Sequence, residues 1–237
     1  MSAVIVGSVI VAVIVLLVGR ALYARWQTLR RAEFIRTFRW PHGLLERLEK
    51  HHPGFERKDS ALVSRGLRQF FLAYLMGGRR HVSMPSQVAD DLWHEFILYT
   101  RDYDAFCRRA FGGFLHHTPA VVLSAHRQSN EGLRRVWWYC CKYENIDPVT
   151  PTRLPLLFAL DSKLKIANGF AYQPDCKALR QNGSSGGQCG GDFSDTSFDG
   201  SSDGFGDSSG DAGGGDSGGG GDGGGGDGGG GGCGGGD

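Results

Sequence analysis

Residues Ala3 to Gly19 form a run of 17 without a charge and with Ser8 as the sole polar side chain, and no other feature limits the fold of this chain so strongly. With the Arg20 side chain turned outward the run continues to Tyr23. At 1.5 Å per residue the helix Ala3–Tyr23 spans about 30 Å, the thickness of a hydrocarbon core. Its many Val and Ile residues are poor helix formers in water. In lipid, however, a lone segment can pair all its backbone polar groups only as a helix. A cleaved signal peptide is the competing reading. It calls for basic residues before the apolar run and for small residues two apart at a cleavage site. Nothing charged but the amino terminus precedes Val4, and Ala21 and Ala24 are three apart and followed by Arg25. The expectation is a retained transmembrane helix over residues 3–23. Its interface is marked by Arg20, Tyr23, Arg25, Trp26, Arg30 and Arg31.

The same arginines set orientation. With Arg36 and Arg39 they all follow the span, so the positive-inside rule leaves the amino terminus outside and the rest of the chain in the cytoplasm. Small residues at Ala3 and Gly7, and at Ser8 and Ala12, suit close approach of two such helices, which makes a homodimer a candidate assembly. A cytoplasmic body also implies reduced thiols for Cys107, Cys140, Cys141, Cys176, Cys189 and Cys233, which form no C-x-x-C pair.

Charge divides the chain again. Residues 192–237 carry 10 Asp and no basic residue, whereas the first 191 residues carry 26 basic and 15 acidic ones, a net of +11. Of the 39 glycines, 28 lie after position 182. From residue 183 to 237 the chain is mostly Gly, Asp and Ser, with Phe193, Phe198 and Phe205 and two Cys, and it is expected to be a disordered acidic tail. An acidic strip beside a basic body can compete for the body's anionic partners. Lacking Glu and a nine-residue period, the tail fits neither an EF-hand nor a calcium-binding repeat.

Between the two extremes, residues 24–39 read as a basic juxtamembrane stalk and residues 40–175 as one all-α cytoplasmic domain of about five or six helices. Leu44, Leu45 and Leu48 mark a short helix. A longer one, capped by Asp59 or Ser60, runs through Val63, Leu67, Phe70, Phe71, Tyr74 and Leu75 to Gly77-Gly78. A third opens at Pro85-Ser86 and carries apolar spacing through Phe111 to Gly112-Gly113. Others begin near Ser129 or Asn130 and after Pro155. Arg65, Arg68, Arg79, Arg80, Arg101, Arg108, Arg109, Arg134 and Arg135 are expected on polar faces. They fit the anionic lipid of a membrane surface or an acidic protein partner. No recognition-helix motif or aromatic-and-basic platform supports nucleic-acid binding.

The densest chemistry lies in Asp90-Asp91-Leu92-Trp93-His94-Glu95 and in Phe114-Leu115-His116-His117. Asp90 and His94 are four apart and share a helix face. Two imidazoles with a carboxylate can hold a divalent metal, so Asp90, Asp91, His94, His116 and His117 are the candidate ligands. The H-E-x-x-H pattern fails, because Leu98 stands where its second histidine belongs. The plainer alternative is that an aspartate orients His94 while His116 and His117 close a helix at its negative end. His42, His51, His52, His81 and His126 read as solvated loop residues.

At these residues the sequence resembles the glycine-rich domain-containing protein-like family. The resemblance is carried by Asp91-Leu92-Trp93-His94-Glu95-Phe96-Ile97-Leu98-Tyr99-Thr100, then Tyr103, Phe106-Cys107 and Phe111-Gly112-Gly113-Phe114-Leu115-His116-His117, over about residues 84–120. It implies importance for Trp93, His94, His116 and His117. It also implies a bacterial, membrane-anchored member with a Gly-rich tail, hence the inner membrane. Two functions follow as expectations. One is a single-pass anchored helical module that binds a partner. The other is a membrane-tethered, metal-dependent, hydrolase-like enzyme.

Overall fold

The computed structural model describes residues 2–117, 128–174, 188, 189 and 193. Among these residues the fold is all-α, with seven helices. They are α1 (Ser2–Thr37), α2 (Leu44–His51), α3 (Arg57–Met76), α4 (Gln87–Leu98), α5 (Thr100–Phe111), α6 (Gln128–Tyr143) and α7 (Leu156–Leu164). The one strand pairing is a parallel contact of Tyr172-Gln173 with Gln188-Cys189. Most of the expected tail, the run Ala120–Leu123, His126, Cys176 and Cys233 lie outside the described residues.

Helix α1 is continuous and changes surroundings along its length. From Ile5 to Leu29 its large apolar side chains are exposed, Leu16 at 67 %. It is long and apolar enough to cross a membrane, with a mean hydropathy of 2.6 over its most apolar stretch. Farther on, Ala32 and Ile35 are fully buried, and Phe34 and Phe38 pack on Phe106. The last turns of the expected stalk are therefore part of the globule, whose first residues lie before the boundary at 40. The apolar face of residues 31–38 is masked in the sequence by Arg31, Arg36 and Arg39.

Helix α3 is the central strut, in contact with α1, α2, α4, α6 and α7. Phe70 and Phe71 lie in its second half, and the rings of Trp93, Phe106 and Phe111 surround them at centroid distances of 5.0–6.0 Å. Edge-to-face and tilted ring contacts of this kind add about 0.5–1.5 kcal/mol per pair beyond buried area. Helix α3 begins earlier than its apolar spacing implies. Glu56 is the residue before the first turn, and its N–H donates to Asp59 Oδ2 at 2.9 Å. The expected single helix through Phe111 is broken at Tyr99, whose ψ of 61° ends α4. The break lets α5 turn back onto α1, and Tyr99 donates its hydroxyl to the His42 carbonyl at 3.2 Å. Arg134 and Arg135, expected on a polar face, are buried at 9 % and 3 % exposure. Arg68 and Arg109 lie over the rings of Trp40 and Phe34. Phe193, read as part of the tail, is buried against Trp137, Phe158 and Tyr172.

Two carboxylates fix how the helices meet. Asp161 of α7 accepts from the Ser86 hydroxyl (2.7 Å) and from the N–H groups of Gln87 (2.7 Å), Val88 (3.2 Å) and Phe170 (2.9 Å). It thus caps α4 from a different helix. Gly169 permits this, since a Cβ there would lie 2.7 Å from that of Asp161. Glu144, just past α6, caps α7 in turn. Its Oε1 accepts from Leu156 N (2.6 Å) and Gln69 Nε2 (2.8 Å), and Arg153 pairs with Oε2. The Gln69 side-chain oxygen in turn accepts from the Leu157 N–H at 3.2 Å.

Burial alone would raise the Glu144 pKa, but the Leu156, Arg153 and Gln69 hydrogen bonds outweigh it and hold the carboxyl below its usual 4.5. A depressed acid stabilises the fold above the unfolded value, and that stabilisation is lost as pH falls through the folded one. Glu144→Gln is expected to lower stability by about 1 kcal/mol at pH 7 and by progressively less below pH 4.5. Denaturation midpoints measured from pH 3 to 7 check this; a constant gap between the two proteins across that range would contradict it.

Candidate metal centre

Helix α4 places its acidic residues on two adjoining faces. Asp90 and His94, one turn apart, point the same way, with Asp90 Oδ2 3.8 Å from His94 Nε2. The segment after α5 brings His117 to the same carboxylate, its Nε2 2.9 Å from Asp90 Oδ1. The His94 and His117 rings lie 4.3 Å apart between centroids, and the Trp93 ring stands edge-on to His117 at 4.5 Å. One ligand atom from each of Asp90, His94 and His117 lies within 4.8 Å of the others. Around a tetrahedral ion, ligand atoms stand about 3.4 Å apart. Closure onto an ion therefore asks for shifts of little more than 1 Å. Asp90 and His117 are mostly covered and His94 is half-exposed, so the ion would have three protein ligands and an open side.

The other two candidates are directed elsewhere. Asp91 faces α2, where its Oδ2 lies 3.0 Å from His52 Nε2 and its Oδ1 accepts from Gln87 at 3.2 Å. One turn on, Glu95 pairs with Arg47 and with His51 Nδ1 at 3.5 Å. This second face of α4 is a docking seam for α2. His52, expected to be solvated, belongs to it and stacks on Phe55 at 4.8 Å, whereas His51 borders it and stays exposed. His116 is exposed with its ring 4.8 Å from Phe114, and it borders the adjacent cavity. His117 is no helix terminus: α5 ends at Phe111, and Gly112 at φ +79° turns the chain away.

What carries His117 back to α4 is a relay of buried donors. Trp93 Nε1–H donates to the Tyr103 hydroxyl at 3.1 Å, and Tyr103 donates to the Leu115 carbonyl at 2.5 Å. Burial raises the Tyr103 pKa far above its usual range, so the hydroxyl remains a donor. Arg79 and Arg31 both donate to the Phe111 carbonyl, at 2.8 and 3.1 Å. Arg31, expected at the membrane interface, thus serves the globule. Tyr23 and Trp26 stack at 5.9 Å, Arg30 lies over Trp26, and these three, with Arg20 and Arg25, stay exposed.

Asp90 and His117 form one wall of a cavity of about 270 Å³, which Tyr74, Arg79, His81, Trp93, Phe114 and Phe170 help to close. Gly132 of α6 lets the wall segment at Ser83 come close, since a Cβ there would stand 2.8 Å from Ser83 N. Among the described residues, burial raises the thiols of Cys107, Cys140 and Cys141, the last to about 12.

A sequence-family profile described as UCP032817-like matches residues 30–193, well over half of the 237. The chain belongs to the UCP032817-like family. No curated protein and no solved structure matches it. The UCP032817-like region begins where α1 becomes packed and ends at the buried Phe193, so it coincides with the globule. It includes Asp90, His94, His117 and the relay behind them.

Asp161, Glu95 and the Trp93–Tyr103 bond are absent from a reading by ligand spacing, because their partners are distant in sequence or are backbone groups. Tyr103→Phe removes one donor and leaves the Leu115 carbonyl and the Trp93 N–H unpaired. It is expected to cost about 1–3 kcal/mol and to weaken divalent-metal binding at least about tenfold. Chemical denaturation and metal titration check the two effects. Unchanged metal affinity in a folded variant would show that the relay does not position His117.

Proposed function

We propose that this UCP032817-like protein is a single-pass membrane protein whose cytoplasmic helical domain is a binding module centred on a divalent metal ion held by Asp90, His94 and His117. One observation carries the reading: three ligand-type side chains, from a helix and a loop distant in sequence, converge, and two of them, Asp90 and His117, line a cavity. Two imidazoles and one carboxylate suit zinc, manganese or iron. Three protein ligands, two of which line the cavity, favour hydrolase-like chemistry on a small bound molecule over a closed structural ion.

The anchoring reading rests on the exposed apolar half of α1 and the arginines that follow it. Residue 31 onward is packed, so the globule lies close to the bilayer face that attracts Arg20, Arg25 and Arg30. The bacterial inner membrane, with the amino terminus outside, is the compartment this layout fits.

Metal analysis of the full chain purified in detergent is the test. About one equivalent of zinc, manganese or iron is expected, lost in both His94→Ala and His117→Ala with helical circular dichroism retained. Asp91→Asn, on the docking face, should keep it. A metal-free chain that also fails to take up added ion would refute the metal site. Anchoring is tested separately: the native chain should begin before residue 24, and a reporter at its carboxyl terminus should be active inside the cell. A mature protein starting beyond that point would remove the membrane reading.

A further inference from the structure

The cavity beside Asp90 and His117 has a composition that selects its occupant. Among the described residues, Asp90 is the single acidic one that lines it, and in the proposed function that charge is turned toward the metal. Arg79 is, among the described residues, the cation of the wall, with His81, Ser83 and Gln87 as further polar groups, while Trp93, Phe114 and Phe170 supply an apolar side. Covering of its ring, with Arg135 beside it, lowers the His81 pKa, so at neutral pH the imidazole is uncharged and offers one N–H.

Arg79 is held there at a cost. Helix α3 ends with Gly78 N–H on Leu75 O (3.2 Å) and Arg79 N–H on Tyr74 O (2.9 Å), a Schellman closure with Gly78 at φ +72°. Arg79 follows at φ +62°, a left-handed conformation that disfavours a residue with a Cβ by about 1–2 kcal/mol. One guanidinium nitrogen is anchored on the Phe111 carbonyl. A strained backbone that delivers an arginine to the wall of a cavity is the kind of outlier that accompanies ligand clamps.

Size and charge then narrow the ligand. About 270 Å³ suits a compact ligand group. A divalent ion, one aspartate and one arginine together leave two positive charges. A tetrahedral dianion matches them, whereas a carboxylate supplies half that charge. Guanidinium groups also suit phosphate oxygens by geometry.

We propose that this cavity binds a compact phosphate, as inorganic phosphate or as the phosphoryl group of a small monoester, between Arg79 and the metal held by Asp90, His94 and His117. The proposal rests on the metal reading above and names the ligand class of that site.

Titration calorimetry on the full chain in nanodiscs, with inorganic phosphate as the probe, tests it in metal-loaded and metal-stripped protein. Phosphate should bind the loaded protein at least tenfold more tightly than acetate does. Arg79→Gln should weaken phosphate at least tenfold with metal stoichiometry unchanged; Arg31 still caps the Phe111 carbonyl in that variant. Arg79→Lys, which keeps the charge but not the fork, should weaken phosphate several-fold and covers the case in which the glutamine variant does not fold. A chain that loads metal yet ignores phosphate, or binds it equally without Arg79, overturns this inference and leaves the metal reading standing. A chain that takes no metal but binds phosphate through Arg79 refutes the metal reading and keeps the anion site. Binding of neither sinks both, and acetate equal to phosphate sinks the dianion assignment.

Discussion

A single buried carboxylate, Asp161, determines where helix α4 begins, and the rest of the site follows from that start. Its two oxygens take up three donors at the head of α4 and a fourth from Phe170. A helix leaves its first N–H groups unpaired, and in a protein interior each such group costs about 1–3 kcal/mol. Here α7 supplies the acceptor, so the two helices cannot slide without exposing or orphaning those donors. Helix α7 is itself held by Glu144 and Gln69 through its own first N–H groups. The pattern is a succession of helix starts, each capped by a side chain from another helix. It transmits position from α6 and α3 to α7 and from α7 to Asp90 and His94.

The second half of the site is located by a different kind of force. His117 lies on a segment without regular structure, and its approach depends on the Leu115 carbonyl meeting Tyr103. Tyr103 belongs to an aromatic core in which Phe70, Phe71, Phe96, Phe106 and Phe111 are fully or almost fully buried. A hydroxyl in such surroundings must find a polar partner, and the loop carbonyl and the Trp93 N–H are the ones it finds. Rigidity of the core thus becomes precision at the cavity mouth. The face of α4 that does not line the cavity is used to dock α2 through Asp91 and Glu95, so one twelve-residue helix serves both the packing of α2 and the candidate site.

Much of this was legible in the residues. The all-α class, the apolar leader and the pairing of Asp90 with His94 follow from spacing alone, because a helix puts residues four apart on one face. His117 emerged as one of two adjacent histidines, and spacing offered no way to choose between them. Asp91 was a plausible ligand on the same count, and its real partner, His52, lies 39 residues earlier in the chain. The break at Tyr99 was hidden because the apolar pattern continues through it, with Phe96, Tyr103 and Phe106 on both sides packing into one core. Arg134 and Arg135 were read as solvated because arginine usually is. Arg135 instead donates to the His81 carbonyl.

The sequence by itself determined what local physics can dictate: a greasy helix of membrane length, amphipathic helices after it, and an acid and an imidazole sharing a turn. Tertiary structure decided which histidine meets that acid, which arginines turn inward, where the globule starts along α1, and that a cavity opens beside Asp90. The division has a physical reason. Helical periodicity is set by neighbours within four residues, whereas the acceptor for a helix's first N–H groups, or for a buried hydroxyl, can come from anywhere in the chain, and only the packed fold selects it.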